Sequence, residues 1–91
     1  MNVTNPSFVG KQISASANVS SKPCTLGGLF CSSGTATVAI YDSATTTTTT
    51  KIVDTFTPAV GTYIWLPFQF TNGCYVVVTG TGSYTVAVRE V

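Results

Sequence analysis

Chemistry in a chain this short needs titratable groups brought close together, and few are on offer. Asp42, Asp54 and Glu90 are the carboxylates, Lys11, Lys22, Lys51 and Arg89 the cations, and there is no histidine. General acid–base catalysis wants a pair of such groups with opposed roles, and no spacing here supplies one, so no enzyme activity is expected. Asp42 closes an apolar run and could serve as a catalytic carboxylate or metal ligand, but a turn Asp bonding its own backbone explains it as well. Cys24, Cys31 and Cys74 are an odd number for a disulfide framework and lack the histidine of a common zinc set. Cys74 has no partnering base and lies inside a β run, as a core residue would. Small buried thiols that stay reduced account for all three. A Cys24–Cys31 bridge would need a hairpin at Gly27-Gly28, because a continuous strand holds those residues roughly 23 Å apart. No glycine-rich segment joins a strand to a helix, so no phosphate cradle is expected, and no cofactor or metal is implied.

The remaining candidates are aromatic. Tyr63 and Trp65 alternate onto one face of a strand, and Tyr75 follows across a turn. Together they could form a platform for stacking sugars or a patch for a protein partner; packing in the core or between subunits is the plainer alternative.

These residues sit in the stretch Gly61–Gly80, which holds most of the large apolar side chains and reads as the keel of the core. Ile64 and Leu66 alternate with Tyr63 and Trp65. After a Thr71-Asn72-Gly73 turn, Cys74, Val76 and Val78 alternate with Tyr75, Val77 and Thr79, so two paired strands are predicted, with Trp65 and its neighbours Ile64 and Leu66 largely withdrawn from water, split between the domain core and a subunit interface. Upstream, Ile13, Ala15, Ala17 and Val19 share one face of a strand running from Lys11 to Ser20. Lys22-Pro23 ends it. Cys24–Ser32 forms the next, with Leu26, Leu29 and Phe30 inward and Gly27-Gly28 marking a bulge, a close approach or a tight turn. Thr35–Asp42 alternates strictly. The tract Thr45–Thr50 has no apolar face and reads as an exposed loop. Lys51–Thr57 resumes a strand, and a Thr81-Gly82 hairpin leads to a closing strand with Tyr84, Val86 and Val88 on one face.

The pattern predicts an all-β chain of about seven to eight strands, a small antiparallel β-sandwich or jelly-roll-like barrel over residues 10–91. Residues 1–9 read as an extended arm in which Val3, Pro6 and Phe8 can lie on something apolar, or else as a frayed terminus. Of the 91 residues 44% are apolar and only 8% charged, against roughly 25% charged in ordinary soluble domains. So little charge suits a chain that works inside an assembly. A net charge of +1 with no basic cluster argues against nucleic acid. No apolar run approaches the roughly 18 residues of a membrane span, and the N-terminal residues resemble no secretory leader, so cytoplasmic synthesis and no membrane partner are expected.

A wider resemblance runs over residues 12–91. The strand ending in Tyr41-Asp42, the Lys51-Ile52 strand, the Gly61–Pro67 strand into Leu-Pro, and Phe70-Thr71-Asn72-Gly73 before a Tyr-Val strand resemble small β-rich structural proteins of tailed bacteriophages. A short Val-rich strand ends the chain in both. That resemblance implies a virion structural protein, foremost a head-decoration or cement protein on the capsid surface, made in the host cytoplasm. It would form a homotrimer and clamp the major capsid protein or another virion protein. A tail or fibre-associated sandwich binding host-surface carbohydrate through Tyr63, Trp65 and Tyr75 is the alternative. The threonine tract stands where the resemblance implies a Gly-containing loop.

Overall fold

A computed structural model describes residues 8–90. Eight strands follow in chain order: β1 (Val9–Ile13), β2 (Ala17–Ser20), β3 (Cys24–Gly34), β4 (Thr37–Asp42), β5 (Lys51–Phe56), β6 (Tyr63–Phe70), β7 (Cys74–Thr79) and β8 (Gly82–Glu90). They form two antiparallel four-stranded sheets. Sheet A has the order β1-β8-β3-β6 and sheet B the order β2-β7-β4-β5. Strand pairs β4·β5, β3·β6, β2·β7 and β1·β8 nest like one long hairpin that has been rolled over on itself, and β3·β8 and β4·β7 close the roll. This winding is the jelly roll, so the sandwich class expected from alternation is the observed one.

The core lies between the inner faces. Leu26, Leu29 and Cys31 of β3, Val38 and Ile40 of β4, Phe70 of β6, Cys74 and Val76 of β7, and Tyr84, Val86 and Val88 of β8 are all essentially without exposure. Their period of two is what a sheet covered on one side requires. Burying each large aliphatic or aromatic group contributes about 1.5–3 kcal/mol, so β3, β4, β7 and β8 hold the sandwich together. Tyr84 brings a hydroxyl into this interior and donates it to the Ala36 carbonyl at 3.3 Å.

Several pairings differ from those the sequence predicts. The run from Lys11 to Ser20 is two strands: the chain bends at Ser14–Ser16 and passes from sheet A to sheet B. Ser16 stabilises the crossing, its hydroxyl accepting from the Val78 N–H at 2.9 Å. β6 and β7 do not pair across Thr71-Asn72-Gly73, nor do β7 and β8 across Thr81, because each turn carries the chain between sheets. Alternation fixes which side of a strand is buried, but arches and hairpins share the same turn residues. The keel is therefore split. Its first half, β6, is the edge of sheet A, and of its eight residues only Phe70 is buried.

Gly27-Gly28 marks a bulge within one continuous strand. Leu26 faces Val88 and Gly28 faces Ala87, so Gly27 is the extra residue on β3. The face parity flips there, which is how Leu26 and Leu29 both point inward. Phe30 then points outward, against expectation, and is 36% exposed. The three thiols are free and buried.

Candidate functional site

The same bulge builds the most distinctive surface. A side chain on Gly27 would meet the Phe8 ring at 3.0 Å, and one on Gly28 would meet the Tyr63 hydroxyl at 2.6 Å. The two glycines are seats for rings contributed by other elements. Cross-strand partners share a face, so Phe30 lies beside Tyr63, and Trp65 lies opposite Gly28, all on the outer face of sheet A. Tyr63 is 51% and Trp65 61% exposed. Of the two places expected for Trp65, domain core or subunit interface, the core is not where it lies, since it belongs to an edge strand and points away from the core, while Ile64 and Leu66 are half-buried.

Toward β8 and β1 the groups on this face become small, with Thr85, Ala87 and Gly10 in register and the exposed Gln12 opposite Thr85. Among the described residues the register puts Arg89, at one end, as its charged side chain. The chain carries no charge between Thr55 and Val88. The result is an aromatic ridge of Phe8, Phe30, Tyr63 and Trp65 beside a lane of smaller groups, suited to stacking and apolar contact and without groups for proton transfer.

Of the other residues singled out in the sequence, Tyr75 does not join this ridge. It is on sheet B, facing outward between buried Cys74 and Val76, and its ring centroid lies 6.3 Å from that of Tyr41. The Lys51 ammonium stands 5.6 Å from the Tyr41 centroid, a cation–π contact that completes a small cluster on the opposite side of the molecule. Val3 and Pro6 lie outside the described residues. Phe8 is described, and Val9 is the first residue of β1, paired with Val88. Sequence reasoning missed Phe30, Gly27 and Gly28 as parts of this face. Pro67 was the available signal that β6 is an edge, because proline has no N–H to donate to a ladder and is tolerated where that side of the strand has no neighbour.

Asp42 organises the far end of the sandwich. One of its oxygens accepts from Thr71 N–H (3.2 Å) and Thr71 Oγ1 (2.9 Å), the other from Asn72 N–H (2.9 Å) and Gly73 N–H (3.3 Å). Desolvation pushes its pKa up, but the hydrogen bonds from Asn72, Thr71 and Gly73 outweigh this and hold it below the usual carboxylate range. It is a staple between β4 and the β6–β7 turn rather than a residue capping its own turn. Four donors fill the roughly four lone-pair sites of a carboxylate, leaving no capacity for a cation. Next to it the buried Ser43 hydroxyl accepts from Thr45 N–H (3.0 Å) and Thr47 N–H (3.1 Å), while Asn18 Nδ2 donates to the Ser43 and Thr45 carbonyls. These bonds anchor the base of the threonine loop, which is exposed as expected. The loop and Asn72 surround an open depression of about 280 Å³ lined by hydroxyls.

The remaining carboxylates are engaged separately. Glu90 accepts from Ser20 Oγ at 2.8 Å and pairs with Lys22 at 3.7 Å, and Asp54 pairs with Lys51 at 3.1 Å. Among the described residues no three His, Cys, Asp or Glu side chains gather as a metal set. Burial pushes the Cys74 thiol up to about 12, and it raises Cys24 as well, so neither is a thiolate at neutral pH. No protein-family model, no curated protein and no solved structure matches the chain.

Proposed function

We propose that the chain is a non-catalytic structural component of a virion, foremost a head-decoration protein that seats the aromatic face of sheet A on a neighbouring virion protein such as the major capsid protein. The observation that carries the reading is the exposed ridge of Phe8, Phe30, Tyr63 and Trp65 on a nearly uncharged surface. Exposed apolar groups gathered on one face mark interaction sites, and aromatic anchors supply most of the energy in such contacts. The virion context comes from the sequence resemblance, and the jelly roll supports it by analogy, since that architecture recurs in capsid and lectin domains. Self-association accompanies the reading; three-fold symmetry rests on the resemblance alone. Copy number in purified particles tests it. A capsid-wide number, with occupancy lost in Trp65→Ala, is expected, and absence from particles would refute it.

The exposure of Trp65 also favours a second reading, a tail or fibre module stacking a host-surface sugar on Trp65 and Tyr63. Trp65 is the single tryptophan, so intrinsic fluorescence reports on it directly. Saturable quenching by a neutral glycan, together with a few copies per particle, would establish this reading over the first.

A further inference from the structure

Four strands form the sheet edges, and three carry features that deter another strand. β1 turns Lys11 to the inner face, where its ammonium donates to the Val19 carbonyl at 2.6 Å. β2 is four residues long, with a register shift after Asn18. β5 carries Lys51 and Asp54 and shifts register against β4 twice. Short, irregular and charged edges are how sheets avoid joining one another. β6 has such a guard only in its second half, where Leu66 and Pro67 together stand opposite Gly27. Its first half, Tyr63–Leu66, has neither charge nor proline.

We infer that the Tyr63–Leu66 half of β6 is a self-pairing edge, to which a second copy of the chain adds antiparallel about a two-fold axis normal to sheet A. Apolar groups reach the open edge on both faces of this run: Tyr63 and Trp65 exposed on the outer face, and Ile64 and Leu66, half-buried, on the inner face. A partner lying on the outer face would leave the open flanks of Ile64 and Leu66 in water, whereas an added strand flanks both faces. The occupant is a copy because an uncharged strand meets no like charge in its own image, and like aromatic groups pair well across strands. Thr62 accepts from the Cys31 N–H at 3.1 Å, so by the alternation of an antiparallel ladder the backbone groups of Tyr63 and Trp65 point away from β3. A two-fold axis through Ile64 then sets Tyr63 of each copy opposite Trp65 of the other. Pro67 and its bulge end the pairing, and so short a run gives a concentration-dependent dimer. Nothing in this rests on the virion reading: mass of the isolated protein tests the one and copy number in particles the other.

Sedimentation velocity of the isolated protein across a concentration series should show mass doubling. Trp65→Lys should abolish the doubling while circular dichroism stays native, and Phe30→Ser, on the same face but one strand inward, should leave it intact. Ile64→Cys should form a disulfide-linked dimer on oxidation, since a non-hydrogen-bonded pair on the axis sits about 4.5 Å apart at Cα. A monomer at every concentration, a trimer, a dimer that survives Trp65→Lys, or a failure of Ile64→Cys to cross-link overturns the inference.

Discussion

Asp42→Asn removes one charge and converts half of a four-acceptor group into a donor. Whichever way the amide turns, its oxygen keeps two of the four bonds and its nitrogen faces the donors of the other two. A hydrogen bond to a charged partner is worth about 1.5–3 kcal/mol. Thr71 and Asn72 are exposed while Gly73 is buried, so most of the freed N–H groups rehydrate and the net loss falls to about 1–2 kcal/mol. For a domain of this length that is a drop in Tm of roughly 5–12 °C. The pH dependence carries the sharper information. A carboxylate whose folded pKa is depressed adds stability that is present above its unfolded value, about 3.9, and lost as pH falls through the folded pKa. Thermal unfolding followed by circular dichroism should therefore show the full gap between wild type and variant at pH 7 and little gap near pH 2, other carboxylates cancelling between the two proteins. Equal Tm values at pH 7, or a gap that persists undiminished in acid, would refute the staple.

Leu29→Ala should cost about 2–5 kcal/mol in urea unfolding, whereas Trp65→Ala should cost no more than about 0.5 kcal/mol, as an outward edge residue does; the reverse order would restore the keel as core. Gly73→Ala drives a Cβ into the backbone carbonyls of Ser20 and Ser43, so about 1–3 kcal/mol should be lost and the denaturation midpoint should fall accordingly. Native protein should resist alkylation at Cys74, its thiol pushed up to about 12 by burial, and after denaturation without reductant mass spectrometry should count three modified cysteines; fewer would reveal a disulfide.

Much of the fold was legible because burial on one side imposes a period of two, and Val38 and Ile40, or Tyr84, Val86 and Val88, display it without interruption. Partner choice left no such trace. The steady alternation from Ile13 to Val19 runs through a change of sheet, since the inner face of each sheet looks at the same core. Tyr63 and Trp65 could be assigned to one face but not to the outer one, because Ile64 and Leu66 offer an equally apolar alternative. The ridge itself depends on Gly27 shifting β3 by one residue, which brings Phe30 outward and opens seats for Phe8 and Tyr63. The bulge was among the readings of Gly27-Gly28, but its effect on Phe30 required the register.

The nesting of strand pairs has a consequence for folding kinetics. Joining β1 to β8 directly would close a loop of most of the chain, and that entropy grows with loop length. Starting from the β4·β5 hairpin, each further pair needs only its adjoining turns to close, so the sheet can zip outward from the middle of the chain to its ends. The threonine tract is then the first loop to close. Doubling its length should slow folding about threefold, the equivalent of roughly 0.6 kcal/mol, while every contact of the finished sandwich stays the same.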